Sequence, residues 1–327
     1  MKYNRLGNTG LKVSSLCLGT MTFGDGADKA MCKKMYSLSR DKGINFFDCA
    51  NVYADGESEK ILGGLMQQHR EEVIVSTKAY YPTGMGVNDR GLSRLHLTRE
   101  LEKSLKRLKT EYIDIYYLHC FDKDTPLTES LSTLNDFVRQ GKILYVGISN
   151  FAAWQIMKAI SINNQLHYAP ISCVQPMYSL LKRQCETEIL PLAKSENLGV
   201  VPYSPLAGGM LTGKYLENEN SKEGRFTTNE MYQKRYKDRT YQTITKEFVN
   251  FCKDNDYDPV ALAISWVESH ESITAPIIGA RNLDQLESAI KSMDISMPDE
   301  TRNELSRLSI TPAIATDREE EQIPISV

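Results

Sequence analysis

Eight short apolar runs punctuate the chain: Leu16 to Gly19, Asn45 to Asp48, Val73 to Thr77, Ile113 to Leu118, Ile143 to Ile148, Ile171 to Gln175, Gly199 to Tyr203 and Pro276 to Gly279. Each is too short for a helix, and most are rich in Val, Ile, Tyr or Phe, which predicts buried strands. Amphipathic stretches lie between them. In Leu97 to Leu108, the residues Leu97, Leu101, Leu105 and Leu108 fall on one face at helical spacing, and Leu127 to Val138 has the same character. Alternating strands and helices predict a parallel sheet. Eight repeats favour closure into an α/β fold of the (β/α)8 TIM barrel type, with an open doubly wound sheet as the alternative. Two segments break the pattern. Residues 1–14 read as a hairpin, Lys2 to Leu6 and Leu11 to Ser14 around Gly7-Asn8-Thr9-Gly10, placed to plug the floor of a barrel. Ala207 to Arg239 is a long Gly- and charge-rich stretch after the seventh strand, a length that points to a functional or mobile loop. Helices over Tyr241 to Lys253 and Pro259 to Ser269 follow it.

No linker or low-complexity segment interrupts the alternation, so residues 1–327 are expected to form one domain. With 39 Lys and Arg against 42 Asp and Glu, the net charge is −3, and no long basic block is present. Nucleic acid and anionic membranes are therefore not expected partners. Glu319-Glu320-Glu321 reads as part of a solvated tail. The seven cysteines are scattered without a CxxC pair, the start has no apolar export segment, and no apolar run is long enough to span a bilayer. Reduced thiols in a cytoplasmic protein are the expectation.

The active site of such a barrel forms at the C-terminal ends of its strands. Those ends are polar almost throughout: Gly19-Thr20-Met21, Asp48 with Tyr53 five residues on, Lys78, His119, Ser149-Asn150, Gln175, Tyr203-Ser204 and Gly279-Ala280-Arg281. Singly, Tyr53 reads as a loop aromatic, Lys78 as a solvated charge, His119 as a core histidine and Asp48 as a helix cap. Together they form a catalytic group. Tyrosine is a poor acid at neutral pH, and a neighbouring ammonium stabilises its phenolate. Lys78 supplies the ammonium, Asp48 pairs with it, and His119 orients a substrate carbonyl. The set suits a carbonyl that receives a hydride while Tyr53 gives a proton.

Other signals lead elsewhere. Gly208 to Lys214 reads G-x-x-x-x-G-K, but Tyr215 stands where a phosphate loop needs Ser or Thr. Gly24-Asp25-Gly26 lacks the third glycine of a dinucleotide fingerprint, at Lys29. The five histidines have no ligand spacing, so no metal is expected.

The segment Phe46-Phe47-Asp48-Cys49-Ala50-Asn51-Val52-Tyr53 resembles the aldo-keto reductase signature around its catalytic Asp and Tyr. Ile74 to Lys78 and Tyr116 to His119 resemble the lysine and histidine strands of that family. Asn88 to Arg94 and the long loop are similar to the branch that holds aryl-alcohol dehydrogenase-like reductases and the voltage-gated potassium channel β subunits. The resemblance implies NADPH (NADP+) across the barrel mouth and a small carbonyl substrate. It implies that Ser149, Asn150 and Gln175 hold the carboxamide and that Tyr203 stacks on the nicotinamide. Ser204, Pro205, Leu206, Gly208 and Lys214 would line the pyrophosphate, and Gly279, Arg281 and Gln285 the adenosine end. Gly19, Thr20, Met21 and Asp48 complete the cofactor-facing set. Family members usually carry Glu-Asn where this chain has Ser288 and Ala289, which implies weaker adenine contacts. Phe23, Tyr80, Tyr81 and Phe121 are the candidate substrate walls. Two alternatives stand beside the reductase. One is a Schiff-base aldolase using Lys78. The other is a cofactor-binding regulatory subunit like the channel β subunits, which lack the catalytic histidine.

Overall fold

Each of the eight apolar runs is a strand in the computed structural model, which describes residues 1–216, 226 and 229–316. The acidic run Glu319 to Glu321 lies outside the described residues, as does part of the long stretch after the seventh barrel strand. A two-stranded antiparallel hairpin comes first, β1 (Tyr3–Arg5) and β2 (Lys12–Ser14), with Tyr3 paired to Ser14. The parallel strands follow: β3 (Cys17–Gly19), β4 (Phe46–Asp48), β5 (Ile74–Ala79), β6 (Ile113–Leu118), β7 (Ile143–Ser149), β8 (Ile171–Gln175), β9 (Gly199–Val200) and β10 (Ile277–Ile278). They pair in sequence order, with β10 returning to β3. Backbone amides close the ring: Thr274 and Ala275 donate to the Val200 carbonyl and Ile277 to that of Pro202, at 2.8, 3.3 and 2.8 Å. The sheet is therefore a (β/α)8 barrel, and the open-sheet alternative does not hold.

Helices cover the outside. The one over Arg94–Leu108 buries Leu97, Leu101, Leu105 and Leu108, as the spacing predicts. Ser93 caps its start by accepting from the His96 amide at 3.3 Å. The two helices expected after the long stretch run over Arg239–Asp254 and Pro259–Glu268. The stretch itself is not a plain loop. It contains a 3-10 turn over Ala207–Thr212 and a short helix over Glu230–Arg235.

Strand alternation sorts side chains into an outer and an inner set. Phe47, Val75, Tyr116 and Val174 face the helices, and Phe46, Ile115, Tyr117, Cys173 and Val201 fill the barrel. Leu6 and Val13 of the hairpin join that inner cluster, both fully buried, so the hairpin seals the floor. Gly147 makes room for one large inner ring. A β-carbon there would stand 2.4 Å from the Tyr117 ring, a clash that excludes any side chain. Two residues beyond this apolar layer, the same inward positions become Asp48, Lys78, His119 and Gln175. The polar group is thus the top layer of the barrel interior. No helix of the described residues is long and apolar enough to cross a membrane.

Candidate active site

Lys78 is fully buried and Asp48 is 2% exposed. Burying an ammonium and a carboxylate is costly unless both are paired and their remaining hydrogen-bonding capacity is used. Here it is used. Lys78 Nζ donates to Asp48 Oδ2 at 2.6 Å, to the Cys49 carbonyl at 2.6 Å and to the Tyr53 hydroxyl at 3.4 Å. Asp48 Oδ1 accepts from Ser76 Oγ at 2.7 Å and from Gln175 Nε2 at 3.0 Å. Burial by itself would discharge Lys78, but the Asp48 charge, helped by Tyr53 and the hydrogen bond to Asp48, holds its pKa above the ordinary lysine value.

An ammonium has three hydrogens and no lone pair. Tyr53 must therefore accept from Lys78, and its own O–H is directed away from the lysine. Tyr53 is partly exposed at the mouth. It opens a 3-10 turn over Tyr53–Gly56 in which Ala54 and Asp55 have positive φ values of 47° and 52°. Backbone in that region is strained for non-glycine residues and persists only when its surroundings enforce it. Two buried side chains brace the segment. Asn51 donates to Glu100 at 2.7 Å, and Glu59 accepts from Thr77 at 2.6 Å and Arg107 at 2.5 Å.

The balance of forces on Tyr53 differs from the simple expectation. Lys78 does pull its pKa down, but burial acts more strongly, and the phenol is pushed up to about 12. His119 lies edge-on to Tyr53, with ring centroids 6.2 Å apart. Burial, seconded by the Lys78 charge, holds its pKa well below the usual histidine range. Its Nδ1 is buried without a hydrogen-bond partner among the described residues.

The strand-end residues fall into two groups. Some are turned into the wall. Thr20 is fully buried and donates to the Asp48 carbonyl at 3.0 Å. Ser149 is 1% exposed and donates to the Gln175 carbonyl at 2.9 Å. One of the two N–H donors of the Gln175 side chain is engaged by Asp48 Oδ1 at 3.0 Å. Gly19 lies against Ile277, with only 2.6 Å for a β-carbon. Others frame the opening. Met21 is exposed, and Tyr203 donates to Asn150 Oδ1 at 2.7 Å while Asn150 Nδ2 donates to the His119 carbonyl at 2.9 Å. Ser204, Leu206 and Gly208 are partly exposed, Pro205 is buried, and Lys214, Gly279, Arg281 and Gln285 are exposed. Asn282 caps the helix Leu283–Ile290 by accepting from the Gln285 amide at 2.9 Å, and Gln285 Oε1 accepts from the Arg281 amide at 2.9 Å.

Three findings were not anticipated. Phe23, expected as a substrate wall, is fully buried in the core; Tyr80, Tyr81 and Phe121 keep some exposure. Ser288, at the first departing position, donates to Asp258 at 2.7 Å, and Asp258 caps the helix Pro259–Glu268; Ala289 is buried. Ser76, which locks the second oxygen of Asp48, carries no sequence signal beyond standing two residues before Lys78 on the same face of β5. Among the described residues no cluster of three or more His, Cys, Asp or Glu side chains is placed to hold a metal.

A family model described as "Aldo/keto reductase family" matches residues 15–310. An uncharacterized oxidoreductase, YrpG, of Bacillus subtilis (strain 168) is 39% identical over 92% of this chain and 93% of its own length. A probable voltage-gated potassium channel subunit beta of Oryza sativa subsp. japonica is 37% identical over 90% of this chain and 92% of its own. Its counterpart from Arabidopsis thaliana is 34% identical over the same shares. With the barrel, the inward Asp-Lys pair and a match over nearly the whole chain, the protein belongs to the aldo/keto reductase family.

Proposed function

We propose that this chain is an NADPH-dependent reductase of aldehydes or ketones, with Tyr53 as proton donor. One observation carries the proposal: a buried, paired Lys78 ammonium donates to Tyr53 and leaves the phenolic O–H free to face the mouth. The cofactor, when bound, supplies a hydride to the carbonyl carbon. Tyr53 gives its proton to the carbonyl oxygen, and Lys78 stabilises the phenolate left behind. Neutral His119 donates an N–H to the same oxygen from Nε2, since its Nδ1 is buried and has no partner among the described residues. Asp48 keeps Lys78 charged and fixed.

The donor set suits an anionic dinucleotide. Lys214 and Arg281 are exposed cations flanking the mouth, and neither has a carboxylate partner among the described residues. Arg281 precedes a capped helix start, which adds amides and a favourable dipole for a phosphate. Ser204 and Gly208 have φ of 60° and 71°, so the backbone turns sharply where the pyrophosphate would lie.

The likeness to channel β subunits keeps a non-catalytic regulatory role as the alternative, but the complete Asp48-Tyr53-Lys78-His119 set favours turnover. A Schiff-base aldolase fits poorly. It needs a neutral, reachable amine, and Lys78 is fully buried and held charged.

Replacing Tyr53 with Phe removes the acid and keeps the ring. Turnover of an aldehyde panel with NADPH should fall at least about a hundredfold, with cofactor affinity nearly unchanged. Near-full activity in Tyr53→Phe would rule out this tyrosine as the donor.

The pH profile follows from the three shifts. Tyr53 stays protonated until alkaline pH approaches its raised value of about 12, and His119 stays neutral because its pKa is depressed. Lys78 stays charged because its pKa is raised. For a neutral aldehyde, kcat/KM should therefore vary less than about threefold between about pH 6.5 and 9. A bell-shaped profile with a limb near neutrality would contradict this assignment.

NADPH should bind more tightly than NADH through Arg281, by about tenfold to a hundredfold for one charge-assisted contact. Titration of both cofactors by tryptophan fluorescence tests this, and Arg281→Ala should abolish the difference. Equal dissociation constants in the wild type would overturn it.

A further inference from the structure

The short helix Glu230–Arg235 is bound to the mouth by two aromatic residues. Asn229 caps it, accepting from the Met231 amide at 3.0 Å. Tyr232 and Tyr236, four residues apart on one face, are both buried. The Tyr232 ring fills the space a side chain would need at Gly208, where a β-carbon would stand 2.7 Å away. The Tyr236 hydroxyl lies 4.0 Å from Met177 Sδ, and Met177 pairs with Tyr203 in a β-bridge. The helix is therefore seated beside Tyr203.

Arg235 ends this helix. It is partly buried, with its guanidinium 5.3 Å from the centre of the Tyr232 ring. Burial dominates the pKa values of Tyr203 and Tyr81, raising both, and the Arg235 charge opposes it in each. Tyr81 in turn stands edge-on to His119, with centroids 4.8 Å apart. The positive charge is thus felt by two rim tyrosines, one in the β-bridge with Met177 and the other packed against His119.

Among the described residues no carboxylate is paired with this charge. Arg70, Arg107 and Arg183, the more buried arginines, are paired with Asp114, Glu59 and Glu186. Arg235 forms no ion pair among the described residues, and the adjacent Lys234 is engaged by Glu230 at 3.4 Å. A partly desolvated guanidinium without a partner favours an incoming anion, and its planar fork matches a carboxylate. One positive charge with no ion pair among the described residues matches one negative charge. The neighbouring walls are aromatic: Tyr80 stands edge-on to Tyr81, and Phe121 packs against Phe151 and Trp154.

We infer that Arg235 is a specificity-determining residue that recruits carbonyl substrates carrying a carboxylate, on an aromatic or otherwise apolar body. The inference rests on the reductase reading and names its substrate class.

The test compares 4-carboxybenzaldehyde with benzaldehyde, using NADPH, in the wild type and in Arg235→Gln. The wild type should prefer the carboxylate, and raised salt should shrink that preference. Arg235→Gln should raise KM for 4-carboxybenzaldehyde by about tenfold or more and leave benzaldehyde within about twofold. Arg235→Lys should keep part of the preference. Equal losses on both aldehydes would show that Arg235 only packs the helix, and no wild-type preference would also overturn the inference. Should the wild type reduce neither aldehyde, the reductase reading fails by itself. Benzoate then serves as an unreactive probe in calorimetry. Binding that is lost in Arg235→Gln supports carboxylate recruitment, and equal or absent binding contradicts it.

Discussion

Lys78 carries its charge in a place that water does not reach, and the architecture around it answers that constraint. A buried ammonium survives only if its hydrogens and its counter-ion are all accommodated. Asp48, the Cys49 carbonyl and Tyr53 take the three donors, while Ser76 and Gln175 occupy the other oxygen of Asp48. The residues involved come from β4, β5, β8 and the turn after β4, so the polar layer fastens different sectors of the barrel to one another. The pair also acts at a distance. It holds Tyr53 as an acceptor toward the lysine, and its positive end helps keep His119 neutral.

Geometry supplies this layer without special devices. Inner positions recur every second residue, and β4, β5, β6 and β8 each carry an apolar or small inner residue followed by a polar one at the top. Below, Tyr117 and its neighbours fill the interior and the hairpin closes it with Leu6 and Val13. Above, the chain leaves the strands and the constraints relax. Strain in the Tyr53 turn is borne by buried Glu59-Arg107 and Asn51-Glu100 contacts rather than by the site itself.

Much of this was legible in the residues. The apolar runs gave every barrel strand, β6 and β8 to the residue, because buried parallel strands need continuous hydrophobicity. Asp48, Tyr53, Lys78 and His119 were legible as strand-end chemistry, and the structure does bring them together. Less visible were orientation and competition. Thr20 stands one residue past the inward position of Gly19, and Ser149, in register with Gln175, spends its hydroxyl on that residue's backbone carbonyl; a polar run reveals neither. Phe23 looked like a pocket aromatic and is core. The contest between burial and Lys78 over the Tyr53 proton depends on enclosure, which no motif encodes. The helix Glu230–Arg235 was hidden in a charged stretch, although Asn229 followed by Tyr232 and Tyr236 spells a cap and an apolar face.

In the proposed reaction a charged, buried Lys78 governs the proton on Tyr53. The most direct measurement is single-turnover reduction of an aldehyde by Lys78→Met, beside Asp48→Asn/Lys78→Met. Both variants should lose about a hundredfold to a thousandfold in rate, the scale of a removed electrostatic stabiliser. The single variant should also lose stability, by about 3–5 kcal/mol, because Asp48 is left buried and unpaired. The double variant should regain much of that stability and none of the rate. Wild-type-like turnover in Lys78→Met would contradict the account.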